Sequence, residues 1–195
     1  MVTNEQSKIY QDTLDRMKAQ ELSSFMGQPM PFGSVALPQF FASSSLFGVD
    51  SGRGRRTLSG EPITDMVEER NKAFLFSGEE LFQSDLDVML AVTALSRGEF
   101  LCDHTLSKAA ALALLREPLT DGNLAELTET LKRLHEARFF GSGIAEHEAV
   151  HLLETLEIND HDDAFRVCFD PRLSIIYGRP MEQPNSGGSG KSDRN

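Results

Sequence analysis

Five histidines and 30 acidic residues supply this chain with groups that could bind a metal or move protons. The densest group is Asp160-His161-Asp162-Asp163. Consecutive residues at a turn point in different directions and do not converge on one ion, so a solvated turn is the better reading. His147 and His151 stand at i and i+4 and are not read as a zinc-protease site. His104 reads as a helix cap, and His135 as a solvent-facing helix residue. No phosphate-binding Walker motif, GxGxxG or GxSxG occurs. No metal or cofactor is expected, and no enzymatic activity.

The other chemistry on offer is cationic. Arg53, Arg55 and Arg56 lie in Gly-Arg-Gly-Arg-Arg, a basic turn between glycines. Flexible Gly-Arg turns contact phosphates without reading sequence, and a plain solvated loop fits the same composition. A net charge of −11 works against duplex binding, because affinity comes largely from neutralised phosphates. A local basic face can still sit on an acidic body.

These residues must be held by an ordered scaffold. Residues 3–20 read as an amphipathic helix with Thr3 and Gln6 as a capping box and a thin apolar stripe of Ile9, Tyr10, Leu14 and Met17. Prolines and glycines make 23–39 an extended connector. Residues 67–69 are expected to lead a strand into a charged hairpin at 68–72, and 73–76 to form a strand ended by Ser77-Gly78. Ser84 or Asp85 should cap a helix running to about Arg97, with Leu86, Met89, Leu90, Thr93 and Ala94 at helical spacing. A strand at 99–102 and a helix at 106–115 follow, the latter capped by His104 or Thr105. After the break at 118–122, Leu124, Leu127, Leu131 and Leu134 line a helix over 123–138. Two helices joined by a short turn and preceded by a strand fit a helix-turn-helix. Residues 150–158 and 164–169 then read as the two strands of a wing, and 171–177 as a last helix. The outward face of the second helix carries Ala125, Glu126, Glu129, Lys132, Arg133 and Glu136, a poor surface for reading DNA.

The expected core is Leu86, Leu90, Leu106, Leu114, Leu127, Leu131, Val167 and Phe169. An apolar fraction of 39% supports one such core. Cys102 and Cys168 fall in expected strands as small hydrophobes, without metal or disulfide spacing. No membrane-spanning run or leader is read, so a cytoplasmic location is expected.

Between Leu37 and Arg97, three signals follow in order. Leu37-Pro38 precedes Ser44-Ser45-Leu46-Phe47; the basic turn comes next; then Phe76-Ser77-Gly78 leads to Leu81-Phe82-Gln83-Ser84-Asp85-Leu86-Asp87-Val88. In this order they resemble the first winged-helix domain of the TrfA family of plasmid replication initiators, over roughly 37–178. The resemblance implies an α+β winged helix, helix-turn-helix plus β-hairpin wing, with an N-terminal helical extension. It also implies initiation of plasmid replication, with origin DNA and host replication proteins as partners and pairing as a homodimer or with a full-length initiator. DNA contact is then expected at Arg53, Arg55, Arg56, Lys132 and Arg133. Partner contact is expected at Phe40, Phe41, Leu46 and Phe47, although these four could equally fold into the domain's own core. Leu22 and Phe25 sit in Glu21-Leu22-Ser23-Ser24-Phe25, where such initiators carry a sliding-clamp peptide; a plain connector is the other reading.

The expected organisation is an N-terminal helix and connector over 1–36, the winged helix over 37–180 and a disordered tail over 181–195. The chain stops near where a second winged helix would begin in the family. That end, the acidic second helix and the negative charge keep an alternative open: a protein-binding regulator, or an acidic DNA mimic, built from an initiator's first domain.

Overall fold

The computed structural model describes residues 2–24, 45–63, 74–96, 103–141, 149–158 and 162–173. Helix α1 (Asn4–Ser24) starts as its sequence predicts: Thr3 N–H donates to Gln6 Oε1 at 2.8 Å, and Gln6 N–H to Thr3 Oγ1 at 3.1 Å. Its half-buried residues Ile9, Tyr10, Thr13, Leu14 and Met17 recur one turn apart. The Tyr10 hydroxyl donates to the Glu117 carbonyl at 2.9 Å and ties α1 to the helical layer.

Strands β1 (Phe47–Gly48) and β4 (Leu81–Phe82) form a short parallel pair. Strands β2 (Thr57–Ile63) and β3 (Phe74–Glu79) pair antiparallel. Strand β3 does not stop at Ser77-Gly78, because Ser77 pairs with Arg138 and Gly78 with Leu58. Gly78 takes φ 147°, and a Cβ there would stand 3.3 Å from the Phe76 ring and 3.4 Å from Ala137 Cα. Only glycine lets the strand pass Ala137, at the end of α4, so closely at that angle.

Helix α2 (Gln83–Leu95) follows β4 directly, with Phe82 at the cap position and Asp85 inside the first turn. Strand β5 (His104–Ser107) occupies residues read as a helix start. His104 is therefore a strand residue, not a helix cap: it stands opposite Val167, and Leu106 opposite Phe165. The cap of α3 (Lys108–Leu115) is Ser107, whose Oγ accepts from Ala110 N–H at 3.2 Å. Helix α4 (Asp121–Glu136) is capped by Thr120, whose Oγ1 accepts from Asn123 N–H at 3.1 Å.

Strand β6 (Arg138–Gly141) leaves α4 after Ala137 alone and joins β3. The expected single strand over 150–158 is two: β7 (Val150–His151) pairs with β6, and β8 (Thr155–Ile158) pairs with β9 (Ala164–Cys168). The bend between them buries Leu152 and Leu153 completely. An unbroken apolar run does not distinguish a straight strand from a bend that turns two leucines inward.

The result is an α+β architecture with a four-stranded sheet, β2-β3-β6-β7, and a three-stranded sheet, β5-β9-β8. The buried side chains form one cluster reaching from Leu46 and Phe76 to Phe169 and Leu173. Of the expected core, Leu86, Leu106, Leu127, Leu131, Val167 and Phe169 are buried, while Leu90 and Leu114 are only half-buried. Cys168 is half-buried in β9. Cys102, the hairpin read at 68–72, and everything beyond Leu173 lie outside the described residues. Among those described, no helix is long and apolar enough to cross a membrane.

Candidate functional site

The basic turn, the start of α2 and the last turns of α4 meet at one carboxylate. Asp85 is fully buried. Its Oδ2 accepts from Phe82 N–H at 2.7 Å, closing the first turn of α2. Arg55 donates Nη1 to Oδ2 at 2.6 Å and Nη2 to Oδ1 at 3.2 Å. Arg133, from α4, donates Nε and Nη2 to Oδ1 at 3.2 and 3.0 Å. Arg55 also donates to the Glu80 carbonyl at 2.7 Å and lies 4.3 Å over the Phe82 ring. A buried carboxylate costs several kcal/mol of lost hydration unless charged donors surround it, and here two guanidinium groups do so.

This corrects the reading of Arg55 and Arg133 as phosphate contacts. Their side chains are 20% and 16% exposed, and each places two of its nitrogens on Asp85. Arg56 is different: its side chain is 72% exposed and pairs with Glu80 at 2.8 Å. The hydrogen bond from Arg56 holds the Glu80 carboxyl below the usual range. Arg53 is exposed at the tip of the turn, between Gly52 and Gly54. Lys132 is bonded to Glu129 at 2.8 Å. Around it the outer face of α4 shows Glu126, Glu129 and Glu136 to solvent.

Of the expected partner contacts, Leu46 is buried in the core and Phe47 packs against it. For these two, folding inward replaces the partner reading. Phe25, Phe40, Phe41 and the side chain of Leu22 lie outside the described residues.

His135 and His151 are built into the fold. His135 is not solvent-facing: its Nδ1–H donates to the Leu153 carbonyl at 2.9 Å. His151 Nδ1–H donates to the His135 carbonyl at 3.1 Å, and the two rings are 6.3 Å apart. Sequence reasoning missed that His147-Glu148-Ala149-Val150-His151 spells His-Glu-x-x-His. That pattern binds zinc on a helix, where the histidines share one face. Here Val150–His151 is a strand. His147 and Glu148 lie outside the described residues, and among those described no cluster of metal-ligating side chains is present. From the acidic group, Asp163 accepts from Ser107 Oγ at 2.6 Å and so orients the cap of α3. Asp160 and His161 lie outside the described residues.

A second carboxylate was also missed. Asp170 is fully buried; its Oδ2 accepts from His151 N–H at 3.0 Å and from Arg172 Nη2 at 2.7 Å. Arg172 also donates to the Ala149 carbonyl at 2.9 Å, which fastens β7 to the turn after β9. Burial pushes the Asp170 carboxyl up, but the Arg172 guanidinium and the backbone N–H groups outweigh it and hold the group below the ordinary aspartate range. A legible signal existed for Asp85. Asp85, Met89, Val92 and Ser96 recur at core-facing helical spacing, and a charge in such a stripe must be paired.

Between α2, α3 and α4 lies a groove of about 390 Å³. Leu90, Leu114 and Leu115 are half-buried in it, and Asp87, Glu117 and Glu126 stand at its edge.

The chain is similar in fold to the crystal structure of domains 2 and 3 of RctB, determined as a selenomethionine derivative. The TM-score is 0.52 at 10% identity, over 73% of this chain and 61% of that one. It is similar also to the structure of RctB domains 2-3, residues 155–483, with a TM-score of 0.50 at 9% identity, over 67% of this chain and 56% of that one. The chain thus spans less than two thirds of either RctB structure. No protein-family model matches it, and no curated protein does.

Proposed function

We propose that this chain is a replication-initiation protein built on a winged helix spanning α2 to β9. The observation that carries this is the three-stranded sheet. A winged helix runs helix, strand, helix, helix, hairpin, and its first strand pairs with the last. Here α2, β5, α3, α4, β8 and β9 follow in that order, and the sheet order is β5-β9-β8. Its likeness in fold is to domains of RctB, a replication initiator. The ordered motifs from Leu37 to Val88 favour the TrfA type, which acts at a plasmid origin. The DNA-facing cations are then Arg53 and Arg56 of the basic turn, with Lys132 on α4. Arg55 and Arg133 hold the turn and α4 in place around Asp85.

The test is a gel-shift series over salt, on duplex DNA carrying iteron-like repeats of the kind TrfA-type initiators bind. Binding to those repeats, falling steeply with salt and weakened by replacing Arg53 and Arg56, is expected. Failure to shift the repeats at low salt would remove the initiator reading.

A second reading is favoured by one observation. The outer face of α4 presents Glu126, Glu129 and Glu136, where a DNA reader would carry cations. On that reading the chain is a protein-binding regulator or a DNA mimic. It pairs with itself or with a full-length initiator, and sedimentation across micromolar concentrations, alone and mixed with an initiator, tests it.

A further inference from the structure

We infer that the groove between α2, α3 and α4 docks a basic amphipathic helix of a partner protein. Its floor is apolar and incompletely covered. Leu90 from α2 and Leu114 and Leu115 from α3 remain half-exposed, whereas the neighbouring Leu112 and Leu127 are closed off. Helices α2, α3 and α4 bound it, and a further helix would fill such a trough with residues at i, i+3 or i+4, and i+7.

The edge decides what that helix carries. Asp87, Glu117 and Glu126 are all exposed around the groove, and among the described residues no lysine or arginine lines it. A helix whose flanks bear lysine or arginine meets three carboxylates while its apolar stripe covers the leucines. Nucleic acid fits poorly, since phosphates would face the same carboxylates. A second copy of this chain fits less well than a basic partner, because each copy carries a net charge of −11. Helix α1 is already engaged elsewhere, seated on α3. This docking goes beyond the DNA contacts proposed above and needs none of them.

The probe is a synthetic helical peptide of about 18 residues, five turns, with leucines at i, i+3 and i+7 and lysines elsewhere. Its control has the same composition with the leucines shuffled around the helix. Calorimetric titration of the full chain is expected to show the patterned peptide binding about 10-fold tighter than the shuffled one. Replacing Asp87→Lys and Glu126→Lys together, both exposed, is expected to weaken binding about 10-fold with the thermal midpoint unchanged. Leu115→Gln is expected to erase the preference for the patterned peptide. Equal binding of the two peptides, no binding of either, or a double variant that binds like the parent overturns the inference. The double variant keeps the test decisive if Leu115→Gln does not fold. None of these readouts involves DNA, so the outcome is separate from that of the gel-shift series.

Discussion

Arg133 Nη2 lies 3.0 Å from Asp85 Oδ1, and that contact joins the last turns of α4 to the first turn of α2. Arg55 reaches the same carboxylate from the basic turn, at 2.6 Å. The basic turn is thus fixed to the helical layer through one buried charge. Asp85→Ala leaves two guanidinium groups without their anion and is expected to cost about 3–5 kcal/mol. Urea denaturation measures it. A loss below about 1 kcal/mol would mean that the three residues are not acting as one buried unit.

The arginines of the turn are expected to separate by role. Arg55→Ala should lower the thermal midpoint clearly, because it opens the buried site. Arg53→Ala, at an exposed tip, should stay within about 0.5 kcal/mol of the parent while weakening any DNA binding. Parallel melts and gel shifts of the two variants check this. The assignment fails if Arg53→Ala is the more destabilising.

Gly78→Ala is expected to destabilise by about 1–3 kcal/mol. The added methyl meets the Phe76 ring and Ala137 at a backbone angle that L-residues rarely adopt. A variant as stable as the parent in urea would show that Phe76 and Ala137 can give way there without cost.

The acid limb of the stability curve should depend on Asp170. Its folded carboxyl titrates below the ordinary aspartate range, because Arg172 and backbone donors outweigh its burial. The unfolded chain then binds more protons. The contribution is fully present above the unfolded value and is lost as pH falls through the lower folded value. Asp170→Asn is expected to flatten the loss of thermal stability below about pH 4. Melts from neutral to acid pH for parent and variant would show this, and superimposable acid limbs would rule it out.

Leu131→Ala is expected to cost about 2–5 kcal/mol, since that side chain is fully buried in the main cluster. A urea midpoint close to the parent's would place α4 outside the core.

Much of this arrangement was legible in the residues. The Thr3–Gln6 capping box and the apolar face of Leu127, Leu131 and Leu134 follow from local rules. So does the hairpin of β8 and β9, and the structure keeps all three. The illegible parts depend on partners far along the chain. His104 and Leu106 form a strand because Val167 and Phe165 lie opposite, and nothing near them signals it. The break at Leu152-Leu153 is set by two different sheets claiming the strands on either side. Arg55 looked like a phosphate contact because its turn is rich in Gly and Arg. Its anion, Asp85, lies 30 residues away, beyond the reach of composition.

The seat of α1 on α3 also orders events in time. The Tyr10 hydroxyl finds its acceptor at Glu117, 107 residues further on. During synthesis α1 emerges early, but the surface it covers does not exist until α3 and the turn after it have left the ribosome. Its contacts are therefore among the longest loops the chain must close, a class of contact that slows folding. Until then its half-buried stripe is open to chaperones or to a neighbouring nascent chain, so a helix made well before α3 is among the last to be protected.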